Sequence, residues 1–118
     1  MRLALTLFLL LPLVAVASEA DVVNVAIEAR GARLYKLDVT VAHKDEGWDH
    51  YVDMWEIVAP DGAVLGKRTI FNPHEGEASF TSSLVGIKIP TGIKEVTIRA
   101  HDLIHEYKGK TMTVAVPP

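Results

Sequence analysis

From residue 22 onward, apolar and polar residues alternate with a period of two, and that period decides what this chain of 118 residues can fold into. Val23, Val25 and Ile27 alternate with Asn24, Ala26 and Glu28, and Leu37, Val39 and Val41 with Lys36, Asp38 and Thr40. The same rhythm returns at Phe80-Thr81-Ser82-Ser83-Leu84, at Val96-Thr97-Ile98-Arg99-Ala100 and at Met112-Thr113-Val114-Ala115-Val116. Side chains on a strand point to opposite faces in turn, so this is the signature of half-buried antiparallel strands. No segment after residue 21 offers a helical stripe.

Turn signals separate the runs. Arg30-Gly31-Ala32, Pro60-Asp61-Gly62, Asn72-Pro73, Pro90-Thr91-Gly92 and Lys108-Gly109-Lys110 fall between them. In the second of these, proline presets φ and glycine accepts a positive φ. Seven strands are predicted, near 22–29, 34–42, 51–59, 63–70, 78–84, 94–100 and 110–116. This spacing predicts an all-β, antiparallel β-sandwich, immunoglobulin-like or fibronectin-like, with Trp55 in its core. The segment 63–70 is the weakest strand, because it holds Gly66 and the basic pair Lys67-Arg68. In the third strand Tyr51, Asp53, Trp55 and Ile57 share a face, so an inward Trp55 puts Asp53 inward as well. A carboxylate there is either a site residue or, more commonly, an acceptor for a neighbouring loop.

The first residues are of another kind. Arg2 supplies a positive start, Leu3 to Val14 is apolar apart from Thr6 and Pro12, and Ala15-Val16-Ala17 presents small residues where signal peptidase reads. A signal peptide over 1–17 is expected, with 20 as the alternative end, followed by one domain over 18–118. The apolar stretch is shorter than the ~20 residues of a spanning helix, so no membrane insertion is expected after cleavage. A periplasmic or secreted protein follows from this. Cleavage removes Arg2 and takes the formal charge from −3 to −4.

Composition narrows the function classes. The chain has no cysteine, hence no disulfide, no thiolate metal site, no cysteine nucleophile and no lipoprotein-type cysteine. No basic stripe points to nucleic acid. No serine sits in a Gly-x-Ser-x-Gly elbow, and no carboxylate spacing marks an acid–base pair, so an enzyme is not expected.

The five histidines, His43, His50, His74, His101 and His105, carry the functional signal. If successive strands run antiparallel, alternate connections share one end of the sandwich. His43 and His50 then flank one loop, His74 lies in a second, and His101 and His105 span a third, all at the same end. Neutral imidazole is the commonest ligand of Zn and Cu(II), and loops at a sandwich end are where sites are grafted. The metal candidates are therefore His50, His74, His101 and His105, with His43 and Asp53 behind them, and Cu(II) or Zn as the cofactor. The plainer alternative is that these imidazoles cap turns and bond backbone. In that case the domain would serve as a protein-interaction or accessory module, using Trp48 and Tyr107 or a sheet edge.

The run Gly47-Trp48-Asp49-His50-Tyr51, then Trp55, Pro60-Asp61-Gly62-Ala63-Val64-Leu65-Gly66, Asn72-Pro73-His74 and Val96-Thr97-Ile98-Arg99-Ala100-His101-Asp102 with His105, resembles a family of small exported bacterial proteins. The resemblance covers nearly all of the mature domain. It implies a periplasmic protein and implies no particular activity.

Overall fold

A computed structural model describes residues 18–118; the expected signal segment 1–17 lies outside the described residues. Seven strands are present: β1 (Asp21–Ala29), β2 (Leu34–Ala42), β3 (Val52–Val58), β4 (Val64–Thr69), β5 (Ser79–Lys88), β6 (Glu95–Asp102) and β7 (Met112–Ala115). They form two sheets, ordered β1-β2-β5 and β4-β3-β6-β7. Every pairing is antiparallel. Among the described residues no helix is long and apolar enough to cross a membrane.

The core is what the alternation requires. Tyr35, Leu37, Val39 and Val41 of β2 are buried against Val52, Trp55 and Ile57 of β3 and Val96, Ile98 and Ala100 of β6. Each large side chain buried this way stabilises the fold by roughly 1.5–3 kcal/mol before entropy is charged against it. Trp55 is fully buried, and its indole N–H donates to Ser82 Oγ across the sheets at 2.7 Å. That leaves no orphan donor in the centre.

Three strands depart from simple alternation. In β1 the register against β2 shifts between Val22 and Asn24, so Val22 is buried and Val23, which alternation groups with Val25 and Ile27, is exposed. In β3 the register against β6 shifts between Val52 and Met54. The extra residue lets Val52 and Trp55, three apart, both point inward. Asp53 is thereby turned out of the core, contrary to the inward placement that strict alternation predicts. In β5 the register against β2 shifts between Tyr35 and Leu37, which face Ile87 and Leu84. Gly86, at φ 69°, sits in this bulge, and the strand continues to Lys88 rather than ending at 84. The weak fourth segment does form a strand. Gly66 gives it room, because a Cβ there would lie 3.3 Å from Leu84 Cδ2 of the opposite sheet.

The strand alternation sorts the connections. The turns after β1, β3 and β5 lie at one end. The loops after β2, β4 and β6, together with residues 18–20, lie at the other. All five histidines fall in or beside that second set.

Candidate metal centre

The centre is assembled by two aspartates that organise the loops. Asp45 follows β2 and is buried. Its Oδ1 accepts the Val52 N–H at 3.2 Å and faces His43 Nδ1 at 2.5 Å, while Oδ2 accepts the His74 N–H at 2.6 Å. One carboxylate therefore ties the end of β2, the start of β3 and the β4–β5 loop. Between Asp45 and β3 the chain reverses at Gly47 (φ 79°), where the His50 N–H bonds Gly47 O and the Glu46 N–H bonds His50 O. This turn folds the His50 ring back onto His43, and the two rings meet edge to face at 4.7 Å.

Asp102 is the last residue of β6 and has no exposed surface. The period that turns Val96, Ile98 and Ala100 inward turns Asp102 inward too. Its Oδ1 accepts the N–H groups of Ile104 at 3.0 Å and His105 at 2.7 Å. Its Oδ2 accepts the Ala20 N–H at 3.3 Å. Burial pushes this carboxyl up, but the His105 and Ile104 amides and the charges of His105 and His43 outweigh burial and hold it below the usual carboxylate range. The buried carboxyl is thus kept in its anionic form.

Three groups converge between these aspartates. His43 Nε2 and His50 Nε2 face each other at 3.2 Å, and His50 Nε2 lies 3.1 Å from Asp102 Oδ1. The side chains of His43 and Asp102 are fully buried and that of His50 nearly so. Because a carboxylate only accepts, His43 donates through Nδ1 to Asp45, which leaves Nε2 facing the cluster. Four-coordinate Zn, with bonds of about 2.0–2.1 Å, sets neighbouring ligand atoms about 3.3 Å apart. The spacings of 3.2 and 3.1 Å lie close to that figure, and all three ligand atoms fall within 4.8 Å of one another, so His43, His50 and Asp102 together could hold an ion. Asp45 behind His43 is the outer carboxylate that metal-bound imidazoles ordinarily use. His50 lacks such a partner, since its Nδ1 is buried without a hydrogen bond.

His105 stands beside this group. Its Nδ1 is 3.2 Å from Asp102 Oδ1 and its ring centre 5.2 Å from that of His50. The remaining sequence candidates stand apart. The His74 ring is stacked on Phe80 at 4.1 Å and bonded to Glu77, and only its backbone N–H reaches the cluster, through Asp45. His101 and Asp53 pair with each other at 2.5 Å on the outer face of the four-stranded sheet, with Tyr107 edge-on to the imidazole at 4.8 Å. His74, His101 and Asp53 are therefore not drawn into the cluster of His43, His50 and Asp102; each faces a partner of its own away from it. Asp102 and Asp45 are not among the sequence candidates. Asp102 was signalled by the inward period of its own strand.

Comparison with known proteins adds one relative. The chain is 38% identical over 96 residues to a protein of Halomicrobium mukohataei named "Putative lipoprotein". The match covers 81% of this chain and 47% of that protein, so the chain spans about half the length of the curated relative it matches. That relative is haloarchaeal, whereas the sequence resemblance pointed to bacteria. No family model matches, and no solved structure matches.

Proposed function

We propose that this chain is an exported, non-enzymatic binding module that holds a divalent transition metal, Zn or Cu(II), through His43, His50 and Asp102. The observation that carries the reading is the buried pair of facing Nε2 atoms, 3.2 Å apart, with a carboxylate oxygen 3.1 Å from one of them. Export is supported by the signal-like first 17 residues and by the lipoprotein name of the relative. With no cysteine in the 118 residues, lipid attachment is not carried over from that name. The immunoglobulin-like or fibronectin-like description of the sandwich belongs to the same reading, and its support is the seven-strand count and the three-plus-four sheet order. The test is metal content after purification, followed by thermal melts of metal-free protein with added Zn or Cu(II). Ligand linkage raises Tm if the native state binds, by an amount equivalent to about 2.7 kcal/mol at a hundredfold excess over Kd. Equal melts with and without either metal would overturn the reading.

A second reading rests on a separate observation. Trp48, Phe71, Leu103 and Ile104 are 66%, 75%, 44% and 56% exposed, and all four belong to the loops at the histidine end. Apolar side chains displayed this way favour a protein-interaction module. Pulldown of one specific partner, lost on Trp48→Ala and indifferent to chelator, would favour it over the metal reading.

A further inference from the structure

We propose that the cleft between the edge strands β4 and β5 binds a small organic monocarboxylate, held by Arg68 through the Nε–Nη2 edge of its guanidinium. The site stands apart from the metal centre, since none of His43, His50 and Asp102 lines it.

Register places this cation on an inner face. Arg68 is paired with Trp55 of β3, and directly paired residues of a ladder share a face. Trp55 is fully buried. A Cβ at Gly66, two residues before Arg68 in the same strand, would meet Leu84 of the opposite sheet. Arg68 is therefore directed between the sheets and not to the outer surface. β4 ends one sheet, β5 ends the other, and the two lie alongside each other, so the sandwich opens next to the arginine. The opening is a cleft of about 490 Å³ whose walls include Arg68, Phe71, Asn72, Thr81 and Ser82, and no carboxylate lines it.

The arginines of the described residues differ in how this edge is used. Arg99 gives Nε and Nη2 to Glu56 at 2.7 and 2.6 Å. Arg33 gives the same two atoms to the carbonyls of Ile89 and Pro90 at 2.9 and 3.2 Å. Arg30 Nε faces Glu28 at 3.5 Å. Arg68 spends Nη1 on Thr69 O at 3.1 Å, and its Nε is buried with no hydrogen-bond partner among the described residues. No carboxylate of the described residues lies within ion-pair distance of it. A half-buried cation without a counter-charge is costly to a fold. The chain has counter-charges to spare, with 15 Asp and Glu against 12 Lys and Arg, yet places none here. A ligand carboxylate would supply it.

The Nε–Nη2 edge presents two parallel N–H groups in one plane, the geometry that matches a carboxylate. Ser82 adds a donor, because its Oγ accepts the Trp55 indole N–H and keeps its own proton to give. One guanidinium balances one negative charge, whereas a phosphate monoester brings about 1.5–2. Phe71, 75% exposed, offers an apolar ring to the rest of the ligand. These features together favour an organic monoanion over an inorganic one.

The experiment is an NMR titration of the protein with benzoate, reading the Arg68 Nε–H and the backbone amides around the cleft, with benzamide and inorganic phosphate as the other arms. Benzoate should shift the Arg68 Nε–H resonance and slow its exchange with solvent, and benzamide should do neither. Arg68→Gln should bind benzoate about 10–100-fold more weakly, the effect of removing a charge-assisted hydrogen bond. Arg68→Lys, which keeps the charge and loses the planar fork, should fall between the two and replaces Arg68→Gln if that variant does not fold. Equal binding of benzamide and benzoate would overturn the proposal, because the ring alone would then be recognised. Tighter binding of phosphate than of benzoate would overturn the carboxylate assignment. No shift at Arg68 in wild type, or unchanged benzoate affinity in a folded Arg68 variant, would overturn the site.

Discussion

Asp102 bears more of the site than any other side chain, because it serves three backbone donors from two parts of the chain and faces two imidazoles at once. Asp102→Ala strands the buried Ala20 amide and uncaps the part-buried amides of Ile104 and His105. Each unsatisfied buried donor costs about 1–3 kcal/mol, so a loss of about 3 kcal/mol or more is expected by urea unfolding. Asp102→Asn keeps a neutral acceptor for the turn and should cost less than half as much, yet metal binding should fail in both. That separation of stability from binding is what a ligand carboxylate predicts and a purely structural one does not. The histidines divide in the same way. His43→Ala should abolish the metal-linked rise in Tm. His74→Ala and His101→Ala should leave it intact, because their rings are turned to Glu77 with Phe80 and to Asp53 with Tyr107. Loss of the rise in His74→Ala would show that the ring, and not only its amide, belongs to the centre.

The strands were readable where two-residue periodicity is unbroken, as in β2 and β6, since there every second side chain meets the core. Reading failed where a bulge intervened. A bulge changes which face a residue takes without changing composition, so strict alternation puts Asp53 inward and ends β5 at 84, four residues short of Lys88. The outward turn at Asp53 builds something of its own. The outer face of the four-stranded sheet carries the Asp53–His101 pair, the Glu56–Arg99 pair at 2.6 Å, and Tyr107 with the Arg99 guanidinium 4.3 Å over its ring. Burial, then the neighbouring Glu56 carboxylate, pushes the Tyr107 phenol above its usual value, with Arg99 pulling the other way. A phenol raised in the folded state favours its protonated form there. Its contribution is therefore complete below about pH 10, the ordinary tyrosine value, and declines as the pH climbs through the folded-state value. The stability difference between wild type and Tyr107→Phe should be flat from neutral pH to about 9 and then move against wild type. A difference that stays constant to pH 11 would show that the phenol is not held by these neighbours.

At the scale of the molecule, antiparallel alternation alone gathers the loops after β2, β4 and β6 at one end, which is why a histidine-bearing end is legible in the sequence. Alternation says nothing about which rings turn toward one another; that depends on the Gly47 turn and the Asp102 cap, both local devices with no periodic signal. The segment ahead of β1 belongs to this end as well. Ala20 is fully buried, its N–H reaches Asp102, and the Ser18 hydroxyl accepts the Lys44 N–H at 2.9 Å. On its other side it meets Gly109, where a Cβ would fall 1.7 Å from Ala20 O, and the Val22 N–H bonds Lys110 O at 2.8 Å. Processing after Ala17 retains this strap, and processing after Ala20 removes it. A chain starting at Asp21 would lose the bond to Asp102 Oδ2 and leave an alanine-sized gap in the core, together about 1–3 kcal/mol. In a domain of about 100 residues each kcal/mol moves Tm by about 4–8 °C, so the shorter chain should melt about 4–24 °C below one starting at Ser18. It should also bind Zn or Cu(II) more weakly, because Asp102 is then held by the turn amides alone. Mass spectrometry of the protein from its native compartment should accordingly show Ser18 as the amino terminus. Equal melting of the two chains would mean that the strap contributes nothing to the site, and the choice between the two cleavage positions would lose its structural basis.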